Sequence, residues 1–181
     1  FEQSIQPMID SAFNGINVAV LVYGQTSSGK THTVRGSKKE AGILPLAVQE
    51  IFRRAEGMQS GGEYSFAVSY YQIYNEKISD MLNGSEKAKD LKVHSNNEGT
   101  AVIQDLTSTP VTCYNDVTQL LKQGDARRVT REHEMNATSS RSHAIFRMVS
   151  IMYFPRPTDC AIIYSFNVVV AKGIQELSAS I

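Results

Sequence analysis

The sequence predicts an α/β fold, and three observations carry that expectation. The apolar run Val18-Ala19-Val20-Leu21-Val22-Tyr23 reads as a fully buried strand. It leads into Gly24-Gln25-Thr26-Ser27-Ser28-Gly29-Lys30-Thr31, a complete G-x-x-x-x-G-K-[ST] phosphate-binding loop. Tyr64–Tyr74 is β-branched and aromatic with apolar residues on both alternations, the pattern of a strand covered on both faces. Helix-like segments separate these strands, and such alternation implies a layered α/β sheet.

Each element has its own warrant. Pro7–Phe13 reads as the tail of a short helix, stopped by Asn14-Gly15. After the strand and the phosphate loop, Arg35–Ala41 is a charged, glycine-bearing loop. Gly42 and Pro45 then mark a helix start with proline in the first turn. Val48, Ile51, Phe52 and Ala55 fall on one face of that helix, and Gly57–Gly62 breaks it. Beyond Tyr74, Glu76–Leu82 is expected to be a short helix. Leu91–Val93 and Ala101–Leu106 read as smaller strands around the polar turn Ser95–Gly99. Asn115 is the expected cap of a helix carrying Val117, Leu120 and Leu121. Ala144–Tyr153 and Ala161–Val170 complete the strands, separated by Pro155-Arg156-Pro157.

Composition bounds the function. A chain of 181 residues suits one domain, spanning 1–181, with a single substantial core. Eighteen basic and eighteen acidic residues balance to a formal net charge of zero, so no global basic field argues for nucleic acid. Lys38-Lys39 and Arg53-Arg54 are short pairs of the kind found on solvated faces. Cys113 and Cys160 stand far apart without metal-ligand spacing and read as reduced thiols. His32, His94, His133 and His143 show no paired-ligand pattern, so no metal site built from histidines is expected. No basic leader stands at Phe1–Asp10, and the apolar runs are too short to cross a membrane.

The phosphate loop carries the chemistry. A strand turning through glycines into a helix leaves backbone N–H groups aimed at the bend, where they can hold phosphate oxygens. Lys30 would reach the β- and γ-phosphates, and the Thr31 hydroxyl would ligate Mg²⁺. The alternative is a glycine turn that matches by accident. A second segment, Met135-Asn136-Ala137-Thr138-Ser139-Ser140-Arg141-Ser142-His143, reads alone as a polar turn. Beside a phosphate loop its hydroxyls could complete a Mg²⁺ shell or hold an attacking water, and its arginine could be tied down by a carboxylate.

These segments together resemble the kinesin motor domain. Asn136-x-x-Ser139-Ser140-Arg141-Ser142-His143 is similar to switch I of that family, and Gly24–Thr31 followed by His32-Thr33 is similar to its phosphate loop. Gly42–Val48 with Ile51-Phe52 resembles the family's helix beyond the loop near the nucleotide. Ser69-Tyr70-Tyr71-Gln72-Ile73-Tyr74-Asn75-Glu76, then Ile78-Ser79-Asp80-Met81-Leu82, resembles its S-Y-x-E-I-Y-N-E-x-I-x-D-L-L block. The blocks stand in family order from about Ile5 to Met152. Ser142–Met148 also resembles the centromere-associated branch.

The resemblance implies a P-loop NTPase-type central sheet with helices on both faces. It implies ATP hydrolysis coupled to microtubule movement in an intact motor, and residence on cytoplasmic microtubules. Gly24, Gln25, Thr26, Ser27, Ser28, Gly29, Lys30 and His32 would hold ATP, while Thr31 and Ser140 would ligate Mg²⁺. Ser139 would position the γ-phosphate or the attacking water, and Arg141 would lock switch I shut. Ser95–Gly99 corresponds to a family loop that can touch tubulin. A complete motor is nearly twice as long, so the resemblance implies a fragment that lacks the principal microtubule-binding helix.

One departure stands out. The family follows its next strand with switch II, Asp-Leu-Ala-Gly-Ser-Glu. Here that strand corresponds to Phe166-Asn167-Val168-Val169, and the next six residues are Val170-Ala171-Lys172-Gly173-Ile174-Gln175. Only Gly173 matches, leaving its N–H as a possible phosphate contact. Val170 replaces the aspartate that orients a Mg²⁺-bound water, and Gln175 replaces the glutamate that would pair with Arg141. The alternative alignment makes Val168–Val170 merely a buried strand end. Two other functions stay open: a kinesin-like module that binds nucleotide without cleaving it, and an unrelated P-loop kinase.

Overall fold

The computed structural model describes residues 1–25, 27–57, 63–85, 88–96, 99–134, 142–153 and 162–172. The expected α/β layers are present. Helix α1 (Gln6–Phe13) precedes strand β1 (Val18–Gly24), which turns into the short helix α2 (Lys30–Arg35). Helix α3 (Ile43–Gly57) follows, with Pro45 in its first turn, and buries Leu44, Ala47, Val48, Ile51 and Phe52 along one face. That stripe is the one the helical spacing announces; Ala55 sits at its edge, partly buried.

Strand β2 (Glu63–Tyr74) is the long central strand, and here the chain departs from expectation. Glu76–Leu82 is not helical: Lys77–Asp80 forms β3, antiparallel to β2 with Tyr74 opposite Lys77. Asn75 and Glu76 both take positive φ, 48° and 61°, the backbone of a two-residue hairpin turn. Ile78, Met81 and Leu82 have helical spacing, but the hairpin pairs Lys77–Asp80 with β2 instead. Asp80 ends the strand. Fully buried, its carboxylate accepts hydrogen bonds from the N–H groups of Leu82, Asn83 and Thr107.

The expected strand Leu91–Val93 divides between two sheets. β4 (Lys89–Leu91) pairs with β3, while β5 (Val93–Ser95) forms a separate hairpin with β6 (Ala101–Ile103). Asp105, at φ 57°, turns the chain before Leu106, so the second expected strand is shorter than its apolar run. β7 (Thr109–Val111) is a strand the sequence hid behind Pro110; it adds to the edge of β2, where a missing N–H is tolerated. Helix α4 (Tyr114–Glu134) starts one residue before Asn115. Its start is capped by Asp116, whose Oδ2 accepts from the Thr112 and Cys113 N–H groups and the Thr112 hydroxyl. An acidic side chain reaching back from the first turn does the work assigned to Asn115.

β8 (His143–Tyr153) and β9 (Ile162–Lys172) complete a sheet in the order β1-β9-β8-β2-β3-β4, with β7 also on β2. β1 and β9 are parallel neighbours; the other pairs are antiparallel. The core lies on one face. Val18, Val20, Phe66, Val68, Tyr70, Phe146, Met148 and Phe166 meet buried residues from all four described helices there. The opposite face of β1 carries Leu21 and Tyr23, both at least half exposed (50% and 58%).

Candidate phosphate-binding site

The site is built where β1 ends. Gly24 has φ 153°, and a Cβ there would lie 2.6 Å from Ser28 Oγ, so the loop can close this tightly only around glycine. Ser27 and Gly29 also take positive φ, 65° and 87°, which folds the backbone back over β1. Ser28 N–H donates to the Gln25 carbonyl at 3.2 Å. The helical ladder of α2 first registers as Thr33 N–H donating to Gly29 O at 2.9 Å. The amides of the first helical turn therefore have no partner within the helix.

Lys30 governs the electrostatics. Its Nζ donates to the carbonyls of Gly24 and Gln25, at 2.7 Å each. The ammonium is thus parked across the mouth of the loop by two neutral acceptors, with no carboxylate partner among the described residues. A phosphate oxygen offers a stronger, charge-assisted exchange for either carbonyl. Gln25, Ser27, Ser28, Gly29, Thr31 and His32 are all exposed around it. A glycine cradle that a Cβ would fill, first-turn amides without partners in the helix, a lysine and a threonine hydroxyl form a donor set suited to a polyphosphate with its Mg²⁺.

The structure gathers part of the expected site. Gly24, Gln25, Ser27 through Gly29, Lys30, Thr31 and His32 lie together in the loop and α2. Thr26, Ser139, Ser140, Arg141, Gly173 and Gln175 lie outside the described residues. The strands that flank them converge on one end of the sheet. Val22 stands opposite Val170 and Gly24 opposite Lys172, while Ala144, next to the start of β8, is also opposite Val170. That end, beyond the carboxyl ends of the parallel pair β1 and β9, is where open α/β sheets hold ligands. Among the described residues, no three His, Cys, Asp or Glu side chains group as metal ligands, and no helix is long and apolar enough to span a membrane.

Beneath α2 lies a cavity of about 100 Å³, lined in part by Thr31, Arg35, Tyr70, Asp125 and Phe146. Arg35 Nη2 donates to Asp125 Oδ1 at 2.8 Å and to the Tyr70 hydroxyl at 3.3 Å, and that hydroxyl donates to the same Asp125 oxygen at 2.8 Å. Burial, reinforced by the Asp125 carboxylate, pushes the Tyr70 phenol up to about 12. No local sequence signal announces this cluster. Its members lie far apart along the chain, and while Tyr70 falls in the Ser69–Glu76 block, Arg35 and Asp125 belong to no motif.

Comparison with known proteins fits this geometry. The family profile described as kinesin motor domain matches residues 1–157. The chain is similar to the kinesin-like protein KIN-7L of Oryza sativa subsp. japonica, 44% identical over 146 residues, covering 80% of this chain and 22% of that protein. It is similar to the centromere-associated protein E of Homo sapiens, 38% identical, covering 82% of this chain and 6% of that one. The kinesin-like protein tea2 of Schizosaccharomyces pombe is 32% identical, covering 99% of this chain and 28% of that protein. A solved structure of a fast kinesin superposes with a TM-score of 0.88 at 29% identity, covering 99% of this chain and 51% of that one. The chain thus spans about half of the solved relative and less than a third of these three curated ones.

Proposed function

This chain belongs to the kinesin motor-domain family, and from that premise we propose that it binds Mg·ATP at the Gly24–Thr31 loop as part of a microtubule-based motor. The loop amides from Gly24 through Gly29, with Lys30 and His32, hold the phosphates. Thr31 and Ser140 hold Mg²⁺, which neutralises phosphate charge when bound. Ser139 positions the γ-phosphate or the attacking water, Arg141 holds its segment closed, and Gly173 offers a backbone N–H. The partner is the microtubule, engaged weakly by these residues alone, and the site of action is the cytoplasmic cytoskeleton.

The observation that carries this reading is Lys30 Nζ held 2.7 Å from two carbonyls of a loop that only glycine can close. Titration of a fluorescent ATP analogue tests it. Lys30→Ala removes a charged hydrogen bond of about 1.5–3 kcal/mol. Part of that is offset, because the free ammonium already has two acceptors to leave. We expect affinity to fall about tenfold, the low end of that range. Equal affinities would refute the assignment.

A second reading, a nucleotide-binding module with impaired hydrolysis, draws on a separate observation. Val170 is the ladder partner of Val22, on the strand beside the phosphate-loop strand, and the kinesin resemblance sets it in place of the switch II aspartate. The family profile ends at residue 157, before β9 begins. Steady-state phosphate release distinguishes the two readings: motor-like turnover supports the first, binding without turnover the second.

A further inference from the structure

We propose that Arg35, Tyr70 and Asp125 form a positioning clamp, and that the grip of α2 on nucleotide depends on it; the inference rests on the nucleotide-binding reading above. Helix α2 has six residues and little to hold it. Lys30 is half-buried, Thr31 to Thr33 are exposed, and Val34 is the one residue of the helix buried in the core. The helix therefore depends on anchors at its carboxyl end. Arg35 is its last residue. Through Arg35 it reaches Tyr70 on β2 and Asp125 on α4, and the guanidinium also lies over the Tyr70 ring, 5.6 Å from its centroid.

An ion pair this open would contribute little by itself, since the Arg35 and Asp125 side chains are 26% and 46% exposed. Tyr70 changes that. Tyr70 is 3% exposed and its hydroxyl shares Asp125 Oδ1 with Arg35, so losing Asp125 also strands a buried hydroxyl. The clamp is held in register by close backbone approach, because Gly124, next to Asp125, lies against the Tyr70 ring. The cavity of about 100 Å³ beside Thr31 gives α2 room to move once the clamp opens. Movement there displaces Lys30 and Thr31, which touch the ligand, while Arg35, Tyr70 and Asp125 do not. They are positioning residues, not catalytic ones.

The test is a mutant cycle read by a fluorescent ATP analogue with Mg²⁺, alongside thermal midpoints. Arg35→Ala and Asp125→Ala should each weaken binding three- to tenfold, and the double variant should be no weaker than either single. Exchanging the charges, Arg35→Asp with Asp125→Arg, should recover part of the loss. Tyr70→Phe and Asp125→Asn keep side-chain volume and should weaken binding about threefold if the alanine variants fail to fold. A merely structural cluster would lower the midpoints and leave affinity at low temperature unchanged, and that result overturns the clamp while the nucleotide reading stands. Strictly multiplicative losses in the double variant overturn it too. Absence of binding by the wild-type chain overturns both.

Discussion

Replacing Gly124 by alanine sets two opposing effects against each other within α4. In an exposed helix interior the change gains about 1 kcal/mol, because glycine has more backbone freedom to lose. Here the new Cβ would lie 2.3 Å from Tyr70 Cδ1, 2.7 Å from Cε1 and 3.3 Å from Met81 Cβ. Carbon atoms reach contact at about 3.5 Å, so the overlap with the ring exceeds about 1 Å. The ring cannot swing clear: it is 3% exposed, and its hydroxyl is tied to Asp125 on the same helix. Helix α4 must lift instead, at the expense of its contacts around Val117. Overpacking of this kind costs about 1–3 kcal/mol, rising when backbone moves. Overpacking wins, and we expect a net loss of about 1–2 kcal/mol. Urea denaturation should show a lower midpoint at unchanged slope. Adding Tyr70→Leu should make the alanine less harmful than it is alone. A Gly124→Ala chain as stable as wild type, or more so, would refute the packing argument.

Other perturbations test separate parts of the molecule. Because the Tyr70 phenol is pushed up to about 12, the unfolded chain releases that proton first. Its contribution is complete below about pH 10 and is lost as pH rises through 12; Tyr70→Phe should flatten that alkaline decline in denaturation curves. Asp80→Ala leaves three backbone N–H groups without their carboxylate and should cost about 3 kcal/mol, measured by denaturation, with Asp80→Asn milder. Val170→Asp with Gln175→Glu should raise steady-state phosphate release above the unmodified chain, with Lys30→Ala as the blank; no gain would put the defect elsewhere.

What could be read from the sequence divides by range. β1, the phosphate loop and α3 were legible because their signals are local: an apolar run, a fixed motif, an amphipathic repeat. The β2–β3 hairpin was missed because Asn75-Glu76 lacks the glycine that usually marks such a turn, while Ile78, Met81 and Leu82 imitate a helix. β7 was missed because Pro110 argues against a strand unless the edge position is known. Asn115 has the residue type of a cap, but Asp116 has the reach to accept from the Thr112 and Cys113 amides. The clamp required three elements to be packed before its members could meet.

The same distinction of range separates binding from hydrolysis. The proposed phosphate cradle lies mostly in one connection, β1 to α2, where Lys30 already bridges two carbonyls. A loop shaped before its ligand arrives loses little conformational freedom on binding. Cleavage asks for more, since phosphoryl transfer depends on groups placed around the γ-phosphate from several directions. In this chain those groups would come through β8 and β9, from residues 139–141 and 170–175. The parallel register sets Val170 level with Val22, two residues short of Gly24. A carboxylate at position 170 would sit on the strand paired with β1, next to the phosphate loop. Valine there keeps the strand pairing and supplies no oxygen, so on the proposed reading the chain presents its phosphate loop without that carboxylate. Nucleotide binding without turnover is the outcome we expect on that reading, and steady-state phosphate release beside analogue titration checks it.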